Sequence, residues 1–269
     1  VLTDAKIIPL EFNKIFTQKI ESDWLEENQV SLDVLRLDLL HPVVSGNKWF
    51  KLKAYIAEAK EHGKRTIATF GGAYSNHIIA TAFSCKEYGL DSIGFIRGEE
   101  RDELSHTLQY AKQLGMRFQF VNRESYRDKE ITKHQHTDEN IYWIEEGGYG
   151  IKGAAGASEI LHYTNIFMYS HIISAVGTGT LLAGLVSSST SDQHIIGISS
   201  MKGNDSLNDA VKKLLLPNKL LTSFEILHDY HFGGYAKHPP ELIRFMNEIY
   251  SEHQLPLDIV YTSKVFYAI

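Results

Sequence analysis

His171-Ile172-Ile173-Ser174-Ala175-Val176 runs into Gly177-Thr178-Gly179-Thr180, and then into a helical pattern from Leu181 to Ser187. A short apolar run rich in β-branched residues reads as a buried strand. The glycines form a tight turn at its end, and the helix follows at once. A further apolar run, His194 to Ser199, supplies the next strand. Strand, glycine turn, helix, strand is the repeating unit of a parallel α/β sheet with right-handed crossovers.

The same order recurs upstream. A strand is expected within 29–37, and a helix from Asn47 to Glu61. A strand follows from Thr66 to Phe70, closed by Gly71-Gly72. Ser75 to Tyr88 reads as a helix with Gly89 as its stop. Ser92–Ile96, Phe118–Val121 and Ile141–Ile144 read as strands, and Ser105–Leu114 and Ala154–Tyr163 as helices. Residues 122–140 are polar and read as a surface excursion. The glycine turns at 71–72, 147–148 and 177–179 fall at the carboxyl ends of strands, where parallel sheets bind ligands.

The bulk properties narrow the function. The 269 residues, 43% hydrophobic and 22% charged, suit two globular domains. A net charge of −6 disfavours non-specific nucleic-acid binding. No stretch approaches the ~20 apolar residues that span a bilayer, and Val1 to Lys6 lacks the order of a signal peptide. Cys85 is the only cysteine, so an intrachain disulfide and a Cys-rich zinc site are excluded. It lies in an apolar helical pattern and reads as a packing residue. This usage suits a reducing compartment, and a cytoplasmic location is expected. The chain opens without Met and stops in the apolar run Val265–Ile269, so further C-terminal sequence is expected.

Three stretches carry candidate chemistry. In Gly177–Thr180, glycines let backbone N–H groups and a helix N-terminus approach an anion, and threonine hydroxyls add donors. A tight turn without a ligand is the other reading. The loop lacks the Lys-Ser/Thr ending of a Walker A motif and the spacing of a dinucleotide fingerprint, which sets both of those aside. In Ser45-Gly46-Asn47-Lys48-Trp49-Phe50-Lys51-Leu52-Lys53, a lysine beside other cations and apolar bulk is pushed toward the neutral form that attacks carbonyls. A solvated basic face is the alternative. In Gly71-Gly72-Ala73-Tyr74-Ser75-Asn76-His77, Ser75 and Asn76 are natural helix caps, or a hydroxyl and an amide offered to a ligand. His228 and His231 are too few for a metal site, and none is expected.

Gly46-Asn47-Lys48 with Lys51-Leu52, Ser75-Asn76-His77, the Gly-Thr-Gly-Thr loop and Val260-Tyr261-Thr262-Ser263-Lys264 occur in that order. From about residue 30 onward the chain resembles the 1-aminocyclopropane-1-carboxylate deaminase and D-cysteine desulfhydrase family of fold-type II pyridoxal-phosphate enzymes. The resemblance implies a two-domain, three-layer parallel-sheet fold like the tryptophan synthase β-subunit, with the cofactor in the cleft. The larger domain would be 1–50 with 165–269, and the smaller 51–164. It implies pyridoxal 5′-phosphate as cofactor and a homodimer acting on a small amino acid.

By the same resemblance Lys51 forms the Schiff base, with Lys48 as its neighbour and Phe50 where the family usually has Arg. Asn76 meets the cofactor's phenolic oxygen. Ser75 lies near the substrate carboxylate with proton-transfer work. His77, next to Asn76, reads from the residues either as a group that supports the substrate site or as a satisfied core histidine. Gly177, Thr178, Gly179 and Thr180 form the phosphate cup. Tyr261 is an active-site tyrosine, Tyr235 after Gly233-Gly234 a second, and Thr262 the partner of the pyridine nitrogen. The deaminase branch carries an acid at that last position. A hydroxyl favours desulfhydrase-like elimination, giving a 2-keto acid, ammonia and sulfide. Deaminase action, racemase or other lyase action, and a cofactor-binding protein with little turnover are the competing readings.

Overall fold

The computed structural model describes residues 9–215 and 223–269. The opening stretch Val1 to Lys6 lies outside the described residues. The chain divides into two compact units: the chain up to Ile15 with Arg36–Lys152, and Phe16–Leu35 with Gly153–Ile269.

An antiparallel pair, β1 (Thr17–Ile20) and β2 (Leu32–Leu35), joined through helix α1 (Asp23–Glu27), belongs to the second unit. Ser22 caps α1 through the amide of Leu25. Ile20 and Leu25 bury against Leu255, with Ile249, Leu257 and Phe266 around them.

The first unit is built on four parallel strands in the order β5-β4-β3-β6. These are β3 (Thr66–Gly71), β4 (Asp91–Arg97), β5 (Arg117–Val121) and β6 (Ile141–Ile144). β3 is buried throughout, as a central parallel strand covered on both faces should be. One face carries Ile67, Ile96 and Ile144 against helices α2 (Lys48–Glu61), α3 (Asn76–Tyr88) and α4 (His106–Gln113). The other carries Ala68, Phe70 and Phe95 against Tyr126 and Trp143. Residues 122–140 run largely over the surface, as their polarity implies, but they carry helical structure that the polarity does not show. They form a 3-10 turn, Ser125–Arg127, and a helix, α5 (Lys129–His134), and Tyr126 is buried under the sheet. Tyr126 and the ring of His136, which meets Phe95 edge-on at 4.9 Å, do the covering, too little apolar signal for a periodicity to show.

The second unit holds a parallel sheet in the order β7-β8-β9: β7 (His171–Val176), β8 (His194–Ser199) and β9 (Phe224–Leu227). Its helices are α6 (Ile151–Ser158, which starts at the unit boundary), α7 (Thr180–Ser188), α8 (Leu207–Lys212), α9 (Pro240–His253) and α10 (Thr262–Ala268). A Cβ on Gly184 of α7 would lie 2.5 Å from the Ala157 Cβ and 2.7 Å from the Ala154 carbonyl oxygen, so α6 and α7 meet backbone to backbone.

The unit boundaries differ from the division read off the sequence. Residues 36–50 go with the first unit because Val44 is part of its core cluster. Residues 153–164 go with the second because Ala154 and Ala157 pack on α7. No helix of the described residues is long and apolar enough to cross a membrane.

Candidate active site

The first unit brings Lys48, Lys51, Ser75, Asn76 and His77 to the carboxyl ends of β3 and β6. Gly46 turns the chain (φ +64°) into α2, and the Lys48 Nζ donates to the Asn47 amide oxygen at 2.9 Å. Three residues on, Lys51 is buried, and its Nζ donates to the Gly147 carbonyl at 3.3 Å. Burial, then the charge of Lys48, pushes the Lys51 pKa well below the ordinary lysine range. Glycine is needed opposite: Gly148 has φ +72°, and a Cβ there would lie 3.3 Å from the Lys51 Cβ. The loop that carries these glycines is held from α5, where Lys129 pairs with Glu146 at 2.9 Å and Lys133 with Glu145.

Ser75 is the N-cap of α3, accepting from the Ile78 amide at 3.4 Å. A Cβ on Gly71 would lie 2.5 Å from the Ile78 side chain, so that turn tolerates only glycine. Asn76 is exposed at the first helical position.

His77 is buried, and its Nε2 lies 2.9 Å from the Thr69 Oγ1. That hydroxyl already donates to the Ile144 carbonyl at 2.7 Å. Its one hydrogen is spent, so His77 must donate from Nε2. Nδ1 is then a bare acceptor, and it has no hydrogen-bond partner. Burial, then the charges of Lys51 and Lys48, pulls the His77 pKa down to about 3.

A pH dependence follows. Unfolded histidine titrates near pH 6.5, so between about 3 and 6.5 the unfolded chain binds a proton that the folded chain refuses. The contribution of His77 is complete above that window and is lost as the pH falls through it. From about pH 7 to about pH 4.5 it should cost about 2.5 kcal/mol. Urea midpoints at the two pH values should show that drop in the wild type and a smaller one in His77→Gln. Equal drops would sink the assignment.

The second unit gathers the other candidates. Gly179 (φ +87°) is the N-cap of α7, with no side chain capping the helix. The Thr178 and Thr180 hydroxyls lie 3.1 Å apart, and Thr180 is fully buried. Uncapped amides, two hydroxyls and glycines make a donor set that fits a phosphate group. A Cβ on Gly177 would sit 3.3 Å from the Tyr261 ring, and that ring meets Tyr235 edge-on at 6.3 Å between centroids. Thr262 opens α10. Its Oγ1 accepts from the Asp258 amide at 2.7 Å and donates to the Asp258 carboxylate at 3.0 Å.

The sequence reading gave no role to Asp258 or Lys264. Asp258 also receives the amides of Val260, Tyr261 and Thr262, and so shapes the whole turn. An acid four residues before Thr262 was the available signal. Lys264 was visible as a lysine in an apolar run, but its partners lie far away in sequence. Cys85 is buried, and burial raises its thiol pKa, as suits a packing residue. His231 accepts the Gly233 amide through Nδ1 at 2.9 Å. Among the described residues no group of three or more His, Cys, Asp or Glu is placed to hold a metal.

The family described as "Pyridoxal-phosphate dependent enzyme" matches residues 15–269. A Thermotoga maritima protein named "Putative 1-aminocyclopropane-1-carboxylate deaminase" is 31% identical, over 97% of this chain and 87% of its own. The Arabidopsis thaliana "Bifunctional D-cysteine desulfhydrase/1-aminocyclopropane-1-carboxylate deaminase, mitochondrial" is 27% identical, over 90% of this chain and 67% of its own. A crystal structure described as an ACC deaminase homologue superposes with a TM-score of 0.79 at 24% identity, covering 98% of this chain and 86% of that one. The α/β architecture is that of fold-type II pyridoxal-phosphate enzymes. The chain belongs to the pyridoxal-phosphate-dependent enzyme family, among lyases and deaminases of the 1-aminocyclopropane-1-carboxylate deaminase and D-cysteine desulfhydrase type.

Proposed function

We propose that this enzyme eliminates the β-substituent of a small amino acid, with D-cysteine as the preferred class of substrate, releasing sulfide, ammonia and a 2-keto acid. The observation that carries the reading is Thr262: a hydroxyl opens α10 directly after Tyr261. When bound, pyridoxal phosphate supplies the electron sink for cleavage at the substrate's α-carbon. A hydroxyl facing the ring nitrogen makes a weaker sink than a carboxylate. Elimination of a good leaving group tolerates that, while opening a cyclopropane benefits from an acid.

A second reading has its own support. The Thr262 hydroxyl proton points to Asp258, so Thr262 offers the ring nitrogen a lone pair backed by a carboxylate. That pair would favour a protonated ring nitrogen and with it deaminase chemistry. Sulfide release from D-cysteine and 2-keto acid formation from 1-aminocyclopropane-1-carboxylate, measured side by side, separate the two. Turnover of D-cysteine above the cyclopropane substrate is expected, and the reverse order overturns the preference.

The loop Gly177–Thr180 is proposed for the phosphate, Asn76 for the cofactor's phenolic oxygen, and Ser75 with neutral His77 for the substrate. Tyr235 and Tyr261 are proposed as the active-site tyrosines, and a homodimer as the assembly. For the covalent carrier α2 offers two amines, and Lys51, the one implied by the sequence motif, is proposed. Burial and the charge of Lys48 push its pKa well below the ordinary lysine range, toward the neutral amine that attacks a carbonyl. Lys48 acts as the neighbouring cation. Borohydride reduction of the holoenzyme followed by peptide mapping should place the label on Lys51. A label on Lys48 overturns the assignment, and no label on either ends the proposal of a carrier on α2.

A further inference from the structure

Lys264 has no solvent exposure at all. Burial lowers its pKa, and Asp258 works in the opposite sense. Burying an amine is costly unless its N–H groups find acceptors. The Nζ donates to two backbone carbonyls, Gly234 at 2.9 Å and Ser200 at 3.2 Å.

Each acceptor lies in a segment that carries a proposed site residue. Gly234 directly precedes Tyr235. Its turn contains two glycines with positive φ, +90° and +125°, and so has little stiffness of its own. Ser200 directly follows β8, and both its amide and its hydroxyl donate to the Val176 carbonyl, at 3.2 and 3.3 Å. Val176 is the residue before Gly177. Lys264 itself follows Tyr261 by three positions, and its amide donates to the Tyr261 carbonyl at 3.2 Å. One buried amine thus ties together the tyrosine turn, the strand end beside the glycine loop, and the first turn of α10.

We infer that Lys264 is a positioning residue, whose amine fixes where Tyr235 and Tyr261 stand against the Gly177–Thr180 loop through the carbonyls of Gly234 and Ser200. The inference rests on the reading that those tyrosines and that loop serve the cofactor and substrate. Lys264 touches neither group itself. A side chain of equal length without N–H donors would leave both carbonyls unpaired and the glycine turn free to shift. A misplacement of about 1 Å at reacting groups is enough to cost about 100-fold in rate.

The test is made on the holoenzyme with Lys264→Met, which keeps the length and loses the donors, and with Lys264→Gln, which keeps an N–H. Hydrogen exchange across residues 230–237 is the first readout. Titration with pyridoxal phosphate is the second, and kcat and KM with D-cysteine are the third. In Lys264→Met exchange across 230–237 should accelerate and kcat should fall about 100-fold, with KM changing far less. Lys264→Gln should recover part of both. Adding n-propylammonium to Lys264→Ala should restore turnover, and tetramethylammonium, which has no N–H, should not. Wild-type exchange and wild-type kcat in Lys264→Met would overturn the inference. If the variants are too unstable to assay, exchange in the wild type decides. Protection of the 233–236 amides like that of the β8 core supports the tie, and open-loop rates overturn it. If the wild type fails to bind pyridoxal phosphate, the functional reading falls, while the exchange measurements still report on Lys264.

Discussion

Lys51→Met is expected to lower turnover by about a thousandfold, the scale of removing a group that acts directly at the reacting centre. It removes an amine whose charged form is penalised by burial and replaces it with an apolar chain of similar length. The melting temperature should therefore rise while the borohydride label is lost. Lys48→Ala should keep the label on Lys51. It removes a cation that lowers the Lys51 pKa, so the pH at which Lys51 takes up the cofactor should move upward. The pair of variants is more informative than either alone. If Lys48 is the carrier, Lys48→Ala loses the label and Lys51→Met keeps it. Spectra, mass mapping and melting curves on the same preparations read both outcomes.

Gly184→Ala is expected to destabilise the protein by about 3 kcal/mol, the upper end of the cost of overpacking. The added methyl would sit 2.5 Å from the Ala157 Cβ, 2.7 Å from the Ala154 carbonyl oxygen and 2.8 Å from the Ser158 amide nitrogen. Two of these are backbone atoms, so no rotamer change relieves the clash and α7 must move away from α6. The first turn of α7 is the proposed phosphate cup, so cofactor affinity should fall together with stability. Denaturant midpoints and a pyridoxal phosphate titration check both. An unchanged midpoint would mean that the helices separate more readily than their spacing implies.

Much of the fold is legible where the sequence is most apolar. The strands at Ile141–Ile144, His171–Val176 and His194–Ser199 fall where the alternation of apolar runs and turn residues puts them. Ser75 and Ser105 announce helix starts, and Gly89 a helix stop, because caps are local chemistry. β1 is harder to read: Thr17-Gln18-Lys19-Ile20 has one buried residue and only a short antiparallel partner. α5 hides for a similar reason, since its work is ionic and its lysines reach Glu145 and Glu146. Within the site, the tautomer of His77 depends on Thr69 and on the Ile144 carbonyl, which lie on two neighbouring strands. The partners of Lys264 likewise come from distant segments. Such pairings follow from topology, and no local pattern announces them.

The placement of the hairpin at residues 16–35 sets an order of assembly. Ile20 and Leu25 find their cover in Ile249, Leu255, Leu257 and Phe266, at the other end of the chain. A ribosome delivers residues 36–152, with the four strands of the first sheet, long before it delivers that cover. The earliest part of the second unit to be made is therefore among the last able to finish packing. Until then its apolar face is held in waiting, a demand that long-range connectivity places on a nascent chain and that a contiguous domain avoids.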